Sequence, residues 1–295
     1  MIEILVASTT SPMFQELIKF LYNIGLFLIA IAKAVGMVYD KVLLTFPLNI
    51  DYYMEQQGIT FHSVRVVIYT FSIYLIVLKF VKKLFDVYAL QVDGDPNADI
   101  NVLVTSFFKA MVVAMSFTTI WSWLYDIVID FGTDLIKAIN IETVGQQVDS
   151  LLQLSNADID IGSPNTILLP VFMFLIGLMF LLVFKNAVEF WLVRLGVPLA
   201  CCGLLDADQG LFKQYTKILL KEILTILIRV FMLHISLGVL AIGGVSVFTL
   251  LVSFSSLIVG FTTPKILSEL LIQQQQGGRF MNTVYMGAMV LRGVI

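Results

Sequence analysis

Residues 230–264 carry no Asp, Glu, Lys or Arg. A single α-helix of that length would run to roughly 50 Å, well beyond the ~30 Å hydrocarbon core of a bilayer. The Gly243-Gly244 pair near the middle of the run offers a turn. The pattern therefore predicts two membrane crossings, about 223–242 and 245–262, joined by a tight hairpin. Residues 167–184 form a second uncharged run of Ile, Leu, Val, Phe and Met with one Gly and one Pro. Two more crossings fit 64–81 and 104–127. The ten-residue alternating strands of a membrane barrel are nowhere visible. The prediction is an all-α, polytopic transmembrane helical bundle with about five crossings, a re-entrant or interfacial segment and amphipathic terminal helices.

Polar positions divide the rest. In 14–39, Gln15, Glu16, Lys19 and Asn23 recur at helical spacing, which favours an amphipathic helix lying in the interface. Its charge-free middle, 20–32, would also serve in a tilted crossing. Residues 42–63 read as a loop, with Pro47 and Gln56-Gln57-Gly58 as breakers. Lys79, Lys82 and Lys83 close the 64–81 crossing, so the positive-inside rule puts that end in the cytoplasm and the N-terminal region outside. Trp121, Trp123 and Tyr125 stand at the far end of 104–127, where interfacial aromatics belong. Seven acids (Asp126, Asp130, Asp134, Glu142, Asp149, Asp158, Asp160) against the single Lys137 mark an external loop. Glu189, Arg194 and Pro198 interrupt 186–205, which reads as re-entrant or half-inserted, leaving Lys213, Lys217 and Lys221 inside. The resulting order is an external N-terminal region (1–63), two transmembrane helices (64–127), an acidic external loop (128–165), the remaining crossings (166–264) and a cytoplasmic tail (265–295).

Composition agrees with a membrane chain. Hydrophobic residues make up 59% and charged residues 13%, about half the ~25% of soluble proteins, and the mean hydropathy is +0.93. A net charge of −3 without a basic patch argues against a nucleic-acid surface. Cys201 and Cys202 are adjacent and give neither a disulfide framework nor a C-x-x-C site. The first residues lack the basic region of a signal peptide, and no lipidation motif is expected. Residues 93–101 (DGDPNADIN) resemble the start of an EF-hand loop, but Ala98 replaces the turn glycine and Val104 the bidentate glutamate, so an acidic turn is expected. Intramembrane ionisable residues are functional candidates by default. They are Glu189, Arg194, Arg229 and His234, with Gly196, Pro198, Gly243 and Gly244 as re-entrant or turn candidates. No nucleophile–base–acid set and no metal motif appears. No catalytic, cofactor or metal site is expected, and the chain reads as a non-enzyme. A small transporter or channel with His234 and Arg229 in its pathway is the alternative.

The order of features over 185–234 is more specific. Lys185 ends a crossing, and Arg194-Leu195-Gly196-Val197-Pro198-Leu199-Ala200 follows as an apolar Gly-x-Pro segment. Then come a short turn at 206–210, Phe212-Lys213-Gln214-Tyr215, and a long helix with Lys221, Glu222 and Arg229. This resembles the TrbL-like conjugal transfer proteins, polytopic inner-membrane subunits of type IV secretion systems. The resemblance implies a translocation-channel subunit that helps move DNA or protein across the cell membrane. Its partners would be the system's ATPases and other membrane subunits, or further copies of itself. No catalytic residue carries over from it.

Overall fold

The computed structural model describes residues 12–34, 40–59, 61–92, 100–139, 146, 148–149, 165–206, 208–244 and 246–272, and among these every regular element is helical. The α-helices are α1 (Pro12–Ala34), α2 (Asp40–Leu48), α3 (Ile50–Gln56), α4 (His62–Val92), α5 (Ile100–Ala138), α6 (Asn165–Ala200), α7 (Gly210–Gly243) and α8 (Val247–Ile272). A 3-10 turn, Cys201–Leu205, links α6 to α7. Six helical stretches are long and apolar enough to cross a membrane: Gln15–Ala34, His62–Val92, Ile100–Ala138, Leu168–Leu205, Gly210–Leu240 and Val247–Leu271. The molecule is a polytopic helical bundle.

Helix α6 is its spine. At 36 residues it is about 54 Å long and nearly uniform in Leu, Ile, Val, Phe and Met, the composition of a helix covered all round. Helix α1 runs parallel to its first half. A Cβ on Gly25 would sit 2.7 Å from the Met173 backbone, and one on Gly177 2.8 Å from Leu28 Cβ, so small residues let these two helices approach closely. Helix α4 runs parallel to the second half. Phe61, just before α4, meets Trp191 with ring centroids 4.7 Å apart, and Lys79 reaches Asp206 beyond the 3-10 turn at 2.7 Å. Thus α1 and α4 follow one another along one spine rather than standing side by side.

Helices α5 and α7 run antiparallel to the spine and accompany both halves. Trp121 of α5 packs on Phe190, while a Cβ on Gly132 would touch Leu44 and Leu227. Helix α8 folds back on α7 through Gly244, whose φ of 65° favours glycine, and packs Phe254 against Phe172. Two apolar clusters result. The larger gathers Ile29, Phe172, Phe180, Leu233 and Leu257 around the first half of α6; the smaller gathers Ile76, Leu103, Ala110 and Leu204 at the far end.

The structure bears on four sequence expectations. Residues 186–200 continue the preceding helix: α6 runs unbroken through Lys185, because a helical Lys185–Glu189 pair at 3.0 Å lets the charges stay on its outer face. The break falls later, after Pro198, where the missing proline N–H loosens the last turn and the helix tightens into Cys201–Leu205. Helix α1, expected in the interface, buries Ile29 and Ala32 against the bundle and is long enough to cross. Most of 42–56, within the 42–63 stretch read as loop, is helical in α2 and α3, with Leu43, Leu44, Phe46 and Leu48 buried. Finally, α5 carries Asp126, Asp130 and Asp134 on its exposed side to Ala138, so part of the acidic segment is helix. The acidic turn at 93–99, Glu142, Asp158, Asp160 and the tail from 273 lie outside the described residues.

Candidate functional site: a polar cleft at mid-spine

Helices α3, α4, α5 and α6 leave a cleft of about 290 Å³ between them. Two acids and two arginines line it: Asp51, Glu55, Arg65 and Arg194. Hydroxyl and aromatic groups fill out the wall, among them Tyr69, Thr118, Trp121, Ser122 and Tyr125. The floor is an ion pair. Arg194 Nη2 donates to Asp51 Oδ2, with the two residues only 8% and 5% exposed. The same guanidinium donates through Nη1 to the Leu48 carbonyl at 3.3 Å and lies 5.5 Å from the Trp121 ring centroid. These contacts answer the cost of burying a cation, which is high unless it is paired and hydrogen-bonded. One acceptor is left over: Asp51 Oδ1 is buried and receives no hydrogen bond among the described residues.

The fold holds Asp51 there for local reasons. Pro47 and the short break at Asn49 divide α2 from α3, and Ile50 and Asp51 form the buried start of α3. The carboxylate therefore enters the bundle on the first turn of a helix, where the helix dipole favours negative charge. At the mouth, Glu55 and Arg65 pair loosely at 3.6 Å, with side chains 40% and 33% exposed. Tyr69 and Thr118 hydroxyls share a hydrogen bond at 3.2 Å across α4 and α5.

The other singled-out residues separate. Glu189 turns outward to Lys185. Arg229 is buried in α7 and donates from Nε to the Gly260 carbonyl of α8 at 3.1 Å. His234 is fully buried on α7, between that tie and the hydrogen bond from Ser236 Oγ to Ser253 O at 2.9 Å. Gly196 faces Tyr215, whose hydroxyl donates to Val193 O at 3.0 Å; a Cβ on Gly196 would run into that hydroxyl. Pro198 sits in the last turn of α6, and Gly243 and Gly244 make the α7–α8 turn. Of the four ionisable candidates, only Arg194 lines the cleft.

Sequence reasoning did not assign the partners. Asp51 lies 143 positions from Arg194, and Trp121, read as an interfacial aromatic, is buried against Phe190. A second polar group forms at the far end of the spine. Asp206 binds Lys79 Nζ at 2.7 Å and Lys83 Nζ at 2.8 Å, and Lys83 also donates to Leu205 O at 2.8 Å. Burial raises the Asp206 carboxyl, but the two ammonium groups outweigh it and hold the pKa below its ordinary value. Among the described residues no three His, Cys, Asp or Glu side chains gather in a way that could hold a metal ion.

Long apolar helices bound by buried polar ties define a multi-pass membrane protein. The family model described as conjugal transfer protein TrbL matches residues 19–294, and the chain belongs to that family. The resemblance read over 185–234 thus extends across nearly the whole chain. The protein is a subunit of a conjugal transfer, type IV secretion system, and so a member of a multi-subunit transfer complex. No curated protein and no solved structure matches it.

Proposed function

We propose that the chain is a non-enzymatic channel or scaffold subunit of the conjugation apparatus, helping DNA or protein cross the inner membrane beside the system's ATPases and other membrane subunits. The observation that carries this reading is the family match over residues 19–294. The geometry supports a packing role for the buried polar residues. Arg229 ties α7 to α8 through a backbone carbonyl, and Arg194 ties α6 to α3 through Asp51. Residues that relay substrate would be expected to face a continuous polar path instead. In this reading the end bearing Lys79, Lys82, Lys83 and Lys213 is cytoplasmic by the positive-inside rule, the N-terminus is outside and the tail inside.

The test is gentle detergent extraction of the tagged chain from its native host, followed by native sizing and mass spectrometry. A large assembly containing ATPases and envelope subunits is the expected result. A lone monomer or small homo-oligomer would overturn the reading.

A further inference from the structure

We propose that the mid-spine cleft takes the headgroup of an amine-bearing zwitterionic phospholipid, its primary ammonium on Asp51 and its phosphate toward Arg65. The inference rests on the cleft itself and stands independently of the transfer role.

The charge pattern comes first. The cleft carries two carboxylates and two guanidiniums, so a simple anion would meet Asp51 and Glu55, and a simple cation Arg65 and Arg194. A ligand with both charges complements the whole lining. The buried carboxylate comes second. Asp51 is 5% exposed and lines the cleft, and its Oδ1 lacks a donor although Oδ2 is held by Arg194. A group carrying N–H donors would complete it, and the Tyr69 and Tyr125 rings in the same wall suit an ammonium nearby. At the mouth, the long Glu55–Arg65 contact at 3.6 Å leaves Arg65 able to turn to a phosphate, with the Thr118 and Ser122 hydroxyls beside it.

Position makes the ligand a lipid. The only charges on α6 are Lys185, Glu189 and Arg194. That belt coincides with the level where α1 ends, at Lys33, and α4 begins, beside Arg65. The apolar stretch of α6 before the belt, 167–184, is about 27 Å long, close to a hydrocarbon core. A bilayer enclosing either tier of helices would place its headgroups near this belt. Exposed Phe71 on one side of the belt, and Trp123 and Ile127 on the other, offer apolar surface for acyl chains in either case.

The experiment uses the full chain reconstituted in nanodiscs with equal phosphatidylethanolamine, phosphatidylcholine and phosphatidylglycerol, then re-extracted for native mass spectrometry. Phosphatidylcholine is the sharp control, because its quaternary ammonium has no N–H to give Asp51. The expected result is retention of phosphatidylethanolamine about tenfold over either other lipid, the scale of one charge-assisted hydrogen bond. Arg65→Gln, at a partly exposed position, should keep the wild-type melting curve and lower retention of every lipid, because the phosphate is common to all three, while the preference for the ethanolamine lipid persists through Asp51. Equal retention of the ethanolamine and choline lipids, preference for phosphatidylglycerol, or undiminished retention in Arg65→Gln would overturn the proposal. In a competition arm, glycerophosphoethanolamine should fail to displace the lipid at equal concentration. Displacement would assign the site to a soluble headgroup compound and overturn the lipid assignment.

Discussion

Arg194 shows how one side chain can be costly and useful at once. Its guanidinium is desolvated against Trp121, and Asp51 and the Leu48 carbonyl accept its hydrogen bonds. Such a pair contributes little net stability over a well-packed apolar substitute, yet breaking it from one side strands a buried charge. Arg194→Met alone should therefore cost about 3–5 kcal/mol, read as lost thermal or denaturant stability in detergent. Adding Asp51→Leu should restore most of that loss, since neither charge is then orphaned. A double variant as unstable as the single would show that Arg194 acts mainly by packing its aliphatic stem. At this scale the sequence was half legible. Arg194 stood out because it interrupts an apolar run, whereas Asp51 sat among polar residues that looked like loop, and nothing local links positions 143 apart. Arg229 and His234 also stood out, but their roles depend on α8 lying across them, which no local pattern states.

Elements were more legible than partners, because a long apolar helix announces itself by composition alone. The runs 64–81, 104–127 and 167–184 fall in helices, and 230–264 covers the end of α7 and most of α8, with Gly243-Gly244 where α7 ends. The misreadings came where charge was taken as interruption. Lys185 and Glu189 sit one helical turn apart and neutralise each other, so α6 continues through them. The acids of 126–134 lie on the exposed side of α5 and do not end it. The true end of α6 is fixed by Pro198 and by the latch of Asp206 to α4. Asp206→Asn should loosen that latch by about 1 kcal/mol, since the pairs are partly solvated. Its pH dependence has a definite sign. A carboxyl whose pKa is lowered on folding stabilises above its ordinary value of 3.8, and that contribution fades as pH falls through the depressed value. Melting curves of wild type and Asp206→Asn should thus differ at pH 6–8, begin to approach each other only below pH 3.8, and converge as pH falls through the depressed value. A constant difference across that range would place the effect in the turn's backbone instead of the ion pairs.

For the whole molecule, the decisive relation is the succession of α1 and α4 along α6. Sequence alone counts apolar runs and sets them side by side in one slab; it has no means of saying that two parallel helices share a single spine end to end. The succession creates a polar level halfway along α6, with Lys33 bound to Asp149 at 2.7 Å on one side and the Asp51–Arg194 cleft on the other. It also separates two sets of charge. Lys79, Lys83 and Lys213 gather round Asp206 and Asp208 at the far end, while the acids of α5 lie toward mid-spine. If positive charge sets the orientation, the lysine end faces the cytoplasm and Gln146, exposed near Asp149, faces outward. The prediction is specific in a background with Cys201 and Cys202 changed to alanine. Gln146→Cys should react with a membrane-impermeant maleimide on intact cells, and Gln209→Cys only after permeabilisation. Reversed labelling would invert the molecule and move the lysine end outside. Labelling of both in intact cells would mean that the far end is reached through an aqueous path, which would turn the scaffold reading toward a channel in this subunit.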